Sequence, residues 1–428
     1  MSSAQQNTDR DWTALDARYV WHPYTQHATA PLPVPIVRAE GARLHTADGR
    51  VLLDAISSWW VTLHGHANPV IAQAIADQAR TLDQVIFAGC THEPAARLAA
   101  ELVALLPPGL TRVFLSDDGS TAVEVAVKTA FQFWSNRGQR RPLIAALEHA
   151  YHGDTFGAMR VSARGVFTAP FDEHLGEVAR LPDPTEGDTV GAFRTLIDQR
   201  GPELAALIVE PLLMGAGGMR MWPEHVLRAL AECCSKARIL LIADEVLTGF
   251  GRTGPLFACA RAGIAPDILC VSKGITGGML PLGATATTEK VFDGFRSTDK
   301  RHTLFHGHSY TANPISCAAA RASLTLLDNS SAQRRENIEH AHREHMARLA
   351  AHPRVRNPRI LGTVAAFDLA GEAGYLSPVG GELASFALRN GVLLRPMGNV
   401  VYVLPPYCTT ADDLAMIYRV IERFLEWR

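Results

Sequence analysis

The sequence has little net charge and few cysteines, and each shortage argues against a class of protein. Its 41 lysine and arginine residues face 43 acidic residues, which gives a formal net charge of -2 and an isoelectric point near 6.8. A chain so close to neutral offers no electrostatic basis for binding nucleic acid or an anionic membrane. Its 7 cysteines include no C-x-x-C pair, so neither a disulfide framework nor a zinc ribbon is indicated.

Long apolar runs and targeting signals are missing too. No run reaches the length needed to span a membrane, and the segment MSSAQQNTDRDW lacks the basic start and apolar core of a signal peptide. We therefore expect a cytoplasmic protein with reduced thiols. The 428 residues, of which 47% are hydrophobic, suffice for one large core and a smaller second domain.

Two predicted strands that each end in a charged side chain stand at the centre of the sequence. The apolar run 239–243 leads into Asp244 and Glu245, and the run 268–271 leads through Ser272 into Lys273. Ligands bind at the carboxyl ends of strands in open α/β sheets. Because an unpaired buried charge is costly, Asp244 and Lys273 either form an ion pair that closes the core or act on a ligand.

The neighbours of Lys273 favour a ligand. Gly274, Gly277 and Gly278 follow closely, so a small molecule can approach the backbone. Lysine forms Schiff bases with carbonyl compounds, and sites for pyridoxal phosphate (PLP) pair such a lysine with an Asp at the pyridine nitrogen.

Predicted strands and helices alternate up to about residue 300, which indicates a mostly parallel sheet with helices on both faces. Strands are predicted at 112–116, 143–147 and 204–209, and helices at 93–106, 121–134, 224–236 and from residue 69 onward. After His302 the pattern changes to long amphipathic helices and a short α+β region. We predict a large domain of residues 65–329 and a small discontinuous domain of residues 1–64 and 330–428.

Three short patterns carry further predictions. Asp48-Gly49 between alternating runs predicts a β-hairpin. Trp59 and Trp60, placed on a strand, would face opposite sides, so that at least one lines a pocket. Gly119-Ser120 precedes a helix, where free amide groups suit a phosphate, although a simple helix cap with a capping box from Thr121 to Glu124 is an alternative.

Three histidines, His302, His306 and His308, offer an H-x-H pattern with few carboxylates beside it. This is too little for a metal centre, and we predict no metal site.

The run ADEVLTGFGRTG, followed by DILCVSKGITGG, resembles the PLP-attachment signature of the class III aminotransferases. The resemblance implies an α/β fold of the PLP-dependent fold type I, with a large, mostly parallel-sheet domain and a smaller α+β domain. It implies transamination with PLP on Lys273 and Asp244 at the pyridine nitrogen. It also implies a homodimer whose two subunits share their active sites.

The family resemblance assigns roles to further residues. Gly119 and Ser120 would hold the phosphate, Tyr151 would stack on the pyridine ring, and Asp154 would support Asp244. The turn from His306 to Ser309 would reach the phosphate held by the partner subunit. At position 308 this chain has histidine where the nearest relatives lead us to expect proline, and Ser309 keeps the hydroxyl of the commoner threonine.

Three stretches resemble one branch of the family, which aminates 7-keto-8-aminopelargonate in biotin synthesis, usually with S-adenosylmethionine and in some relatives with lysine as the donor. These stretches are residues 21–25, residues 57–60 with 64–66, and residues 394–399 running to Tyr407. The resemblance implies a set of substrate contacts. They are Tyr24, Trp59, Trp60, Gly307, Arg395 and Tyr402. Another class III enzyme, acting on a diamine or an omega-amino acid, is the alternative.

Other classes of function compete with transamination. A second PLP reaction, such as racemisation or decarboxylation, is one alternative. Only the family signature favours transamination over it. A dinucleotide-dependent oxidoreductase suits the sheet, but GFGRTG follows the acidic pair and lacks the G-x-G-x-x-G spacing that opens a helix. A binding protein on an inactive scaffold would have little reason to keep Lys273.

Overall fold

The protein is described from a computed structural model, which covers residues 11–427. Residues 1–10, which form most of the polar segment MSSAQQNTDRDW, lie outside the described residues. Within residues 11–427 no helix combines the length and apolar character that crossing a membrane requires.

Residues 11–427 form sixteen strands and fourteen α-helices. The strands are β1 Ile36–Glu40, β2 Arg43–Thr46, β3 Val51–Asp54, β4 Leu110–Ser116, β5 Leu143–Leu147, β6 Ala179–Leu181, β7 Leu204–Val209, β8 Leu213–Met214, β9 Arg220–Met221, β10 Leu240–Asp244, β11 Ile268–Val271, β12 Gly283–Thr288, β13 Val355–Leu361, β14 Val364–Leu369, β15 Val392–Leu393 and β16 Val400–Val403. The helices are α1 Trp12–Tyr19, α2 Ser57–Trp60, α3 Pro69–Thr81, α4 Glu93–Leu105, α5 Gly119–Ser135, α6 Phe156–Val161, α7 Thr189–Arg200, α8 Glu224–Ala237, α9 Ala258–Ala262, α10 Glu289–Asp293, α11 Pro314–Thr325, α12 Asn329–Leu349, α13 Val379–Arg389 and α14 Ala411–Trp427.

The central sheet has seven strands in the order β4-β12-β11-β10-β7-β5-β6. Strands β11, β10, β7, β5 and β6 pair in parallel, whereas β12 runs antiparallel to both of its neighbours. The predicted mostly parallel sheet is therefore confirmed. The sequence pattern did not indicate β12, because its GATATT run is short-chained and weakly apolar.

Helices cover both faces of this sheet, as predicted. In β10, Leu240 and Ile242 pack into the core formed with α5, whereas Leu241 points to the core that contains α8. Successive side chains of a strand face opposite ways, so a strand that is buried on both faces reads as a continuous apolar run. This is why the run at 239–243 could be recognised from sequence.

A second, four-stranded sheet joins the two ends of the chain. The hairpin predicted at Asp48-Gly49 is confirmed, because β2 and β3 pair antiparallel across it. Strand β15 pairs in parallel with β3, and β13, β14 and β16 form a separate three-stranded sheet. The pairing of β3 with β15 supports a small domain built from both ends, although its boundaries remain a prediction.

The prediction of a strand through the adjacent tryptophans was wrong. Residues Ser57–Trp60 form a short, broken helical turn in which Ser57, Ser58 and Trp60 have φ values of 51°, 58° and 66°. The left-handed conformation overrides the preference of tryptophan for strands, because buried contacts fix the turn. The two side chains still differ as expected: Trp60 is buried and Trp59 is 39% exposed.

Candidate active site

A cavity of about 560 Å³ lies at the carboxyl edge of the central sheet. It is lined by ten of the twelve residues that the sequence singled out for the site. They are Tyr24, Trp59, Trp60, Gly119, Ser120, Tyr151, Asp244, Lys273, Arg395 and Tyr402. The geometry thus brings side chains from both predicted domains into one chamber, while the role of each residue remains a prediction.

Lys273 is the most unusual group in the chamber. It follows β11 directly, has a φ of 40°, and its ammonium group makes no hydrogen bond to any residue from 11 to 427. The Trp60 ring centre lies 4.9 Å from its Nζ atom. Burial lowers the pKa of Lys273, which favours the neutral, nucleophilic amine. Within the described residues no ion pair joins it to Asp244, so the simple core salt bridge is not what the structure shows.

Asp244 is held by a buried histidine rather than by the lysine. His152 Nδ1 lies 2.7 Å from Asp244 Oδ2, and the amide of Val246 donates to Oδ1 at 3.1 Å. These contacts orient the carboxylate toward the chamber. A fixed carboxylate and a half-buried amine in one chamber are the groups that PLP requires at its ring nitrogen and its aldehyde.

The predicted support of Asp244 by Asp154 was wrong. Asp154 is exposed; its carboxylate accepts a hydrogen bond from the Tyr24 hydroxyl, and its amide donates to Ser120 Oγ at 3.1 Å. His152, two positions earlier, occupies the place beside Asp244 instead. Side-chain directions in this loop alternate irregularly, and sequence spacing alone could not choose between the two residues.

Glu210 is a chamber residue that the sequence reasoning missed. It follows β7, is fully buried, and accepts hydrogen bonds from the amides of Tyr151 and Gly215, both at 2.9 Å. Burial raises the pKa of Glu210 to about 7. The rule that picked out Asp244 and Lys273, a charged residue at the end of a buried strand, would also have found it.

The predicted phosphate site lies at the start of α5. Asp118 caps this helix by accepting from the amide of Thr121 at 2.9 Å, and Thr121 Oγ1 accepts from the amide of Asp118 at 3.0 Å. The capping box therefore begins at Asp118, one turn earlier than the alternative from Thr121 to Glu124. The first amides of a helix have no intrahelical acceptor, so those of Gly119 and Ser120 face the chamber ready for an anion.

Close packing explains the glycine at position 119. A Cβ atom on Gly119 would come within 2.7 Å of Val246 Cγ1, next to Asp244. The helix start and the Asp244 strand end thus approach each other more closely than a larger residue permits. Together with the unpartnered amine of Lys273, this cradle fits the phosphate, ring nitrogen and aldehyde of PLP.

Aromatic side chains and Arg395 form the opposite wall. The Arg395 guanidinium lies 4.4 Å above the Trp59 ring, and no described carboxylate pairs with it. Tyr24 packs edge-on against Trp59 at 5.5 Å, and Trp60 against Tyr402 at 5.9 Å. This wall offers one cation beside an apolar surface.

Gly307 and Ser309 lie outside the chamber of their own chain. Both are exposed, and the carbonyl of Ser309 accepts a hydrogen bond from the side chain of Gln84. Their assignment to a partner subunit remains a prediction.

Among the described residues, one cluster has the spacing of metal ligands, and it consists of His149, Asp183 and Glu186. Arg220 already pairs with the carboxylates of Asp183 and Glu186.

The chain matches the family Aminotransferase class-III over residues 24–425. It therefore belongs to the class III aminotransferases, enzymes that use PLP, as the signature around Lys273 predicted. It is similar to adenosylmethionine-8-amino-7-oxononanoate aminotransferase of Synechococcus elongatus, with 53% identity over 95% of this chain and 98% of that protein. The protein of the same name from Geobacter sulfurreducens is 38% identical over 97% of each chain.

Solved structures confirm the fold type. The crystal structure of adenosylmethionine-8-amino-7-oxononanoate aminotransferase from Methanocaldococcus jannaschii has a TM-score of 0.91 and 33% identity, covering 96% of this chain and 98% of that one. An amine transaminase from an uncultivated Pseudomonas species, in a PLP-bound form, has a TM-score of 0.87 and 31% identity, covering 94% and 97%. The competing interpretation as a dinucleotide-dependent oxidoreductase is thereby excluded.

Proposed function

We propose that this enzyme transfers an amino group to 7-keto-8-aminopelargonate, also called 8-amino-7-oxononanoate, and so forms 7,8-diaminopelargonate for biotin synthesis. The amino donor is S-adenosylmethionine. One observation carries the proposal: Arg395, which pairs with no carboxylate among residues 11–427, shares a chamber with the half-buried amine of Lys273, and aromatic rings lie between them. The names of the relatives support the same substrates.

The shape of the acceptor matches this chamber. The keto acid has a carboxylate at one end, an aliphatic chain, and a ketone that receives the nitrogen. Arg395 pairs with the carboxylate, because a guanidinium matches carboxylate geometry and keeps its charge. Tyr24, Trp60 and Tyr402 cover the chain and exclude water from the reacting end.

The residues that hold PLP are Lys273, Asp244, Gly119, Ser120 and Tyr151. When bound, PLP supplies an electron sink for the carbon next to the nitrogen being transferred. Lys273 would be the acid–base group that moves a proton at that carbon, for which a neutral amine is needed at the start. Asp244 would keep the pyridine nitrogen protonated, and His152 holds the Asp244 carboxylate in place. The amide-bound Glu210 positions the backbone of Tyr151.

Replacing Arg395 with alanine is expected to damage the keto-acid half of the reaction and largely spare the donor half. The acceptor carboxylate would lie in the chamber without a partner, which should reduce its binding free energy by roughly 2–5 kcal/mol. Single-turnover kinetics measure the two halves separately. Arg80→Ala is a matched control, because that side chain is 74% exposed on α3. Equal damage to both halves, or none, would mean that the carboxylate binds elsewhere.

We further propose a homodimer with shared active sites, working in the cytoplasm. The turn from His306 to Ser309 is flanked by the exposed side chains Phe305 and Tyr310, which are 70% and 66% exposed. Apolar surface of this kind suits burial against a second copy, and closed twofold dimers are the commonest assembly. The seven free thiols suit a reducing compartment.

Mixing two inactive variants tests the shared site. Lys273→Ala removes the amine, and Ser309→Glu places a negative charge where the phosphate of the other subunit is expected. A mixed dimer then contains one site with both residues intact, so activity should return after the two proteins are unfolded and refolded together. Sedimentation should show a dimer at working concentration. A fully active monomer, or no recovery in mixed dimers, would refute the shared site.

A further inference from the structure

A hydrogen-bonded pair, Asp54 and His66, lies behind the tryptophan turn, outside the chamber. The carboxylate of Asp54, at the end of β3, is fully buried, and its Oδ2 atom lies 2.7 Å from Nε2 of His66. The backbone of His66 is fixed in turn, because its amide donates to the Gly41 carbonyl at 2.7 Å and its carbonyl accepts from the Gly41 amide at 3.2 Å. The pair therefore links two hairpin strands to the turn that follows β3.

The same carboxylate holds the turn itself. Asp54 accepts hydrogen bonds from the amide of Ile56 at 3.1 Å, and from the amide and hydroxyl of Ser58 at 2.7 and 3.3 Å. Of the described residues, His66 is its one side-chain partner beyond this local segment. The left-handed conformations of Ser57, Ser58 and Trp60 are rare for these residues and persist only where surrounding contacts impose them.

The turn places the rings of Trp59 and Trp60 at opposite ends of the chamber. Trp59 lies under the guanidinium of Arg395 at 4.4 Å, and Trp60 lies against Nζ of Lys273 at 4.9 Å. A shift of the turn would therefore move the support of the arginine. The exposed Arg395 has no ion pair with a described residue, so the Trp59 ring is its main support.

We propose that His66 is a positioning residue for substrate binding. By holding Asp54 it fixes the turn that seats Trp59 under Arg395, and it thereby sets the affinity for a carboxylate substrate. His66 itself does not line the chamber and touches no reacting atom. The identity of that substrate as the keto acid rests on the proposed function above, whereas the link from His66 to Trp59 does not.

Two substitutions at position 66 separate the hydrogen bond from the bulk of the side chain. His66→Gln keeps an N–H group that can donate to Asp54, and His66→Leu fills similar space without a donor. His340→Gln is the control, because that histidine is 76% exposed on α12. His66→Asn, whose amide falls short of Asp54, repeats the test should the leucine variant fail to fold.

The first measurement needs no substrate. Holoenzyme labelled with fluorotryptophan gives a ¹⁹F resonance for Trp59, which Trp59→Phe identifies among the 7 tryptophans. We expect His66→Leu to shift or broaden this resonance, and His66→Gln and the control to leave it near its original position. In steady-state kinetics, His66→Leu should raise KM for the keto acid about tenfold while kcat changes by less than about twofold, the pattern of lost binding without lost chemistry.

An unchanged Trp59 resonance in a folded His66→Leu or His66→Asn protein would overturn the proposal, even if the melting temperature falls. So would equal shifts in the glutamine and leucine variants, because the hydrogen bond would then be irrelevant. If the unmodified enzyme does not turn over the keto acid at all, the proposed function fails, while the resonance still decides the role of His66.

Discussion

Replacing Lys273 with alanine is expected to abolish transamination while the fold stays intact. The amine is half-buried, has no hydrogen-bond partner among the described residues and lines the chamber after β11, so it is available for the cofactor and for proton transfer. A positioned acid–base group alone contributes about 10²–10⁴-fold, and this lysine also carries the cofactor, so we expect a loss of at least about 10⁴-fold in both half-reactions. Circular dichroism should remain that of the unmodified protein.

A lysine on the surface supplies the control. The chain has only five lysines, and Lys290, which is 60% exposed, pairs with Asp267 far from any proposed chemistry. Lys290→Ala should keep full activity. Chemical reduction of the holoenzyme followed by peptide mass mapping should find the cofactor on Lys273. Attachment to another lysine, or substantial activity in Lys273→Ala, would disprove the assignment.

Asp244→Asn should bind PLP but transfer protons poorly. The neutral amide cannot hold a proton on the ring atom that it faces, and the contact with His152 loses its charge. Removing one preorganised electrostatic contact typically costs about 10²–10³-fold in rate, and we expect at least this loss in both half-reactions. Stopped-flow absorbance of each half-reaction measures it directly.

A control and a binding measurement make this result interpretable. Asp77→Asn, on the exposed side of α3, should leave both half-reactions unchanged, because its carboxylate is 62% exposed and pairs only with surface groups. Cofactor titration should show that Asp244→Asn is still loaded. Near-normal rates in the loaded variant would mean that Asp244 is merely structural.

One rule predicted part of the site from sequence: a charged residue that follows a buried strand lies at the carboxyl edge of the sheet. Asp244 and Lys273 follow uninterrupted apolar runs, and buried parallel strands direct such residues to one edge. Glu210 obeys the same rule but was passed over, because no matching partner stood out near it in the sequence. The helix predicted from residue 69 onward is confirmed as α3, which begins at Pro69 after its cap residue Asn68.

The predictions that were wrong concern contacts that sequence spacing does not encode. The turn at Ser57–Trp60 is set by the buried carboxylate of Asp54 and its partner His66, not by local preference. The choice between His152 and Asp154 depends on which side chain an irregular loop turns inward. Gly307 and Ser309 lie outside the chamber of one chain, so the role predicted for them depends on the proposed dimer.

The proposed function rests on which acceptor and which donor the enzyme accepts. The most direct measurement incubates the purified holoenzyme with 7-keto-8-aminopelargonate and one donor at a time, S-adenosylmethionine, lysine, or a simple diamine, and follows 7,8-diaminopelargonate by mass spectrometry. We expect product with S-adenosylmethionine, and none when Lys273→Ala replaces the enzyme. Product with lysine alone would correct the donor, and absence of product with every donor, from an enzyme that aminates other ketones, would contradict the proposed function.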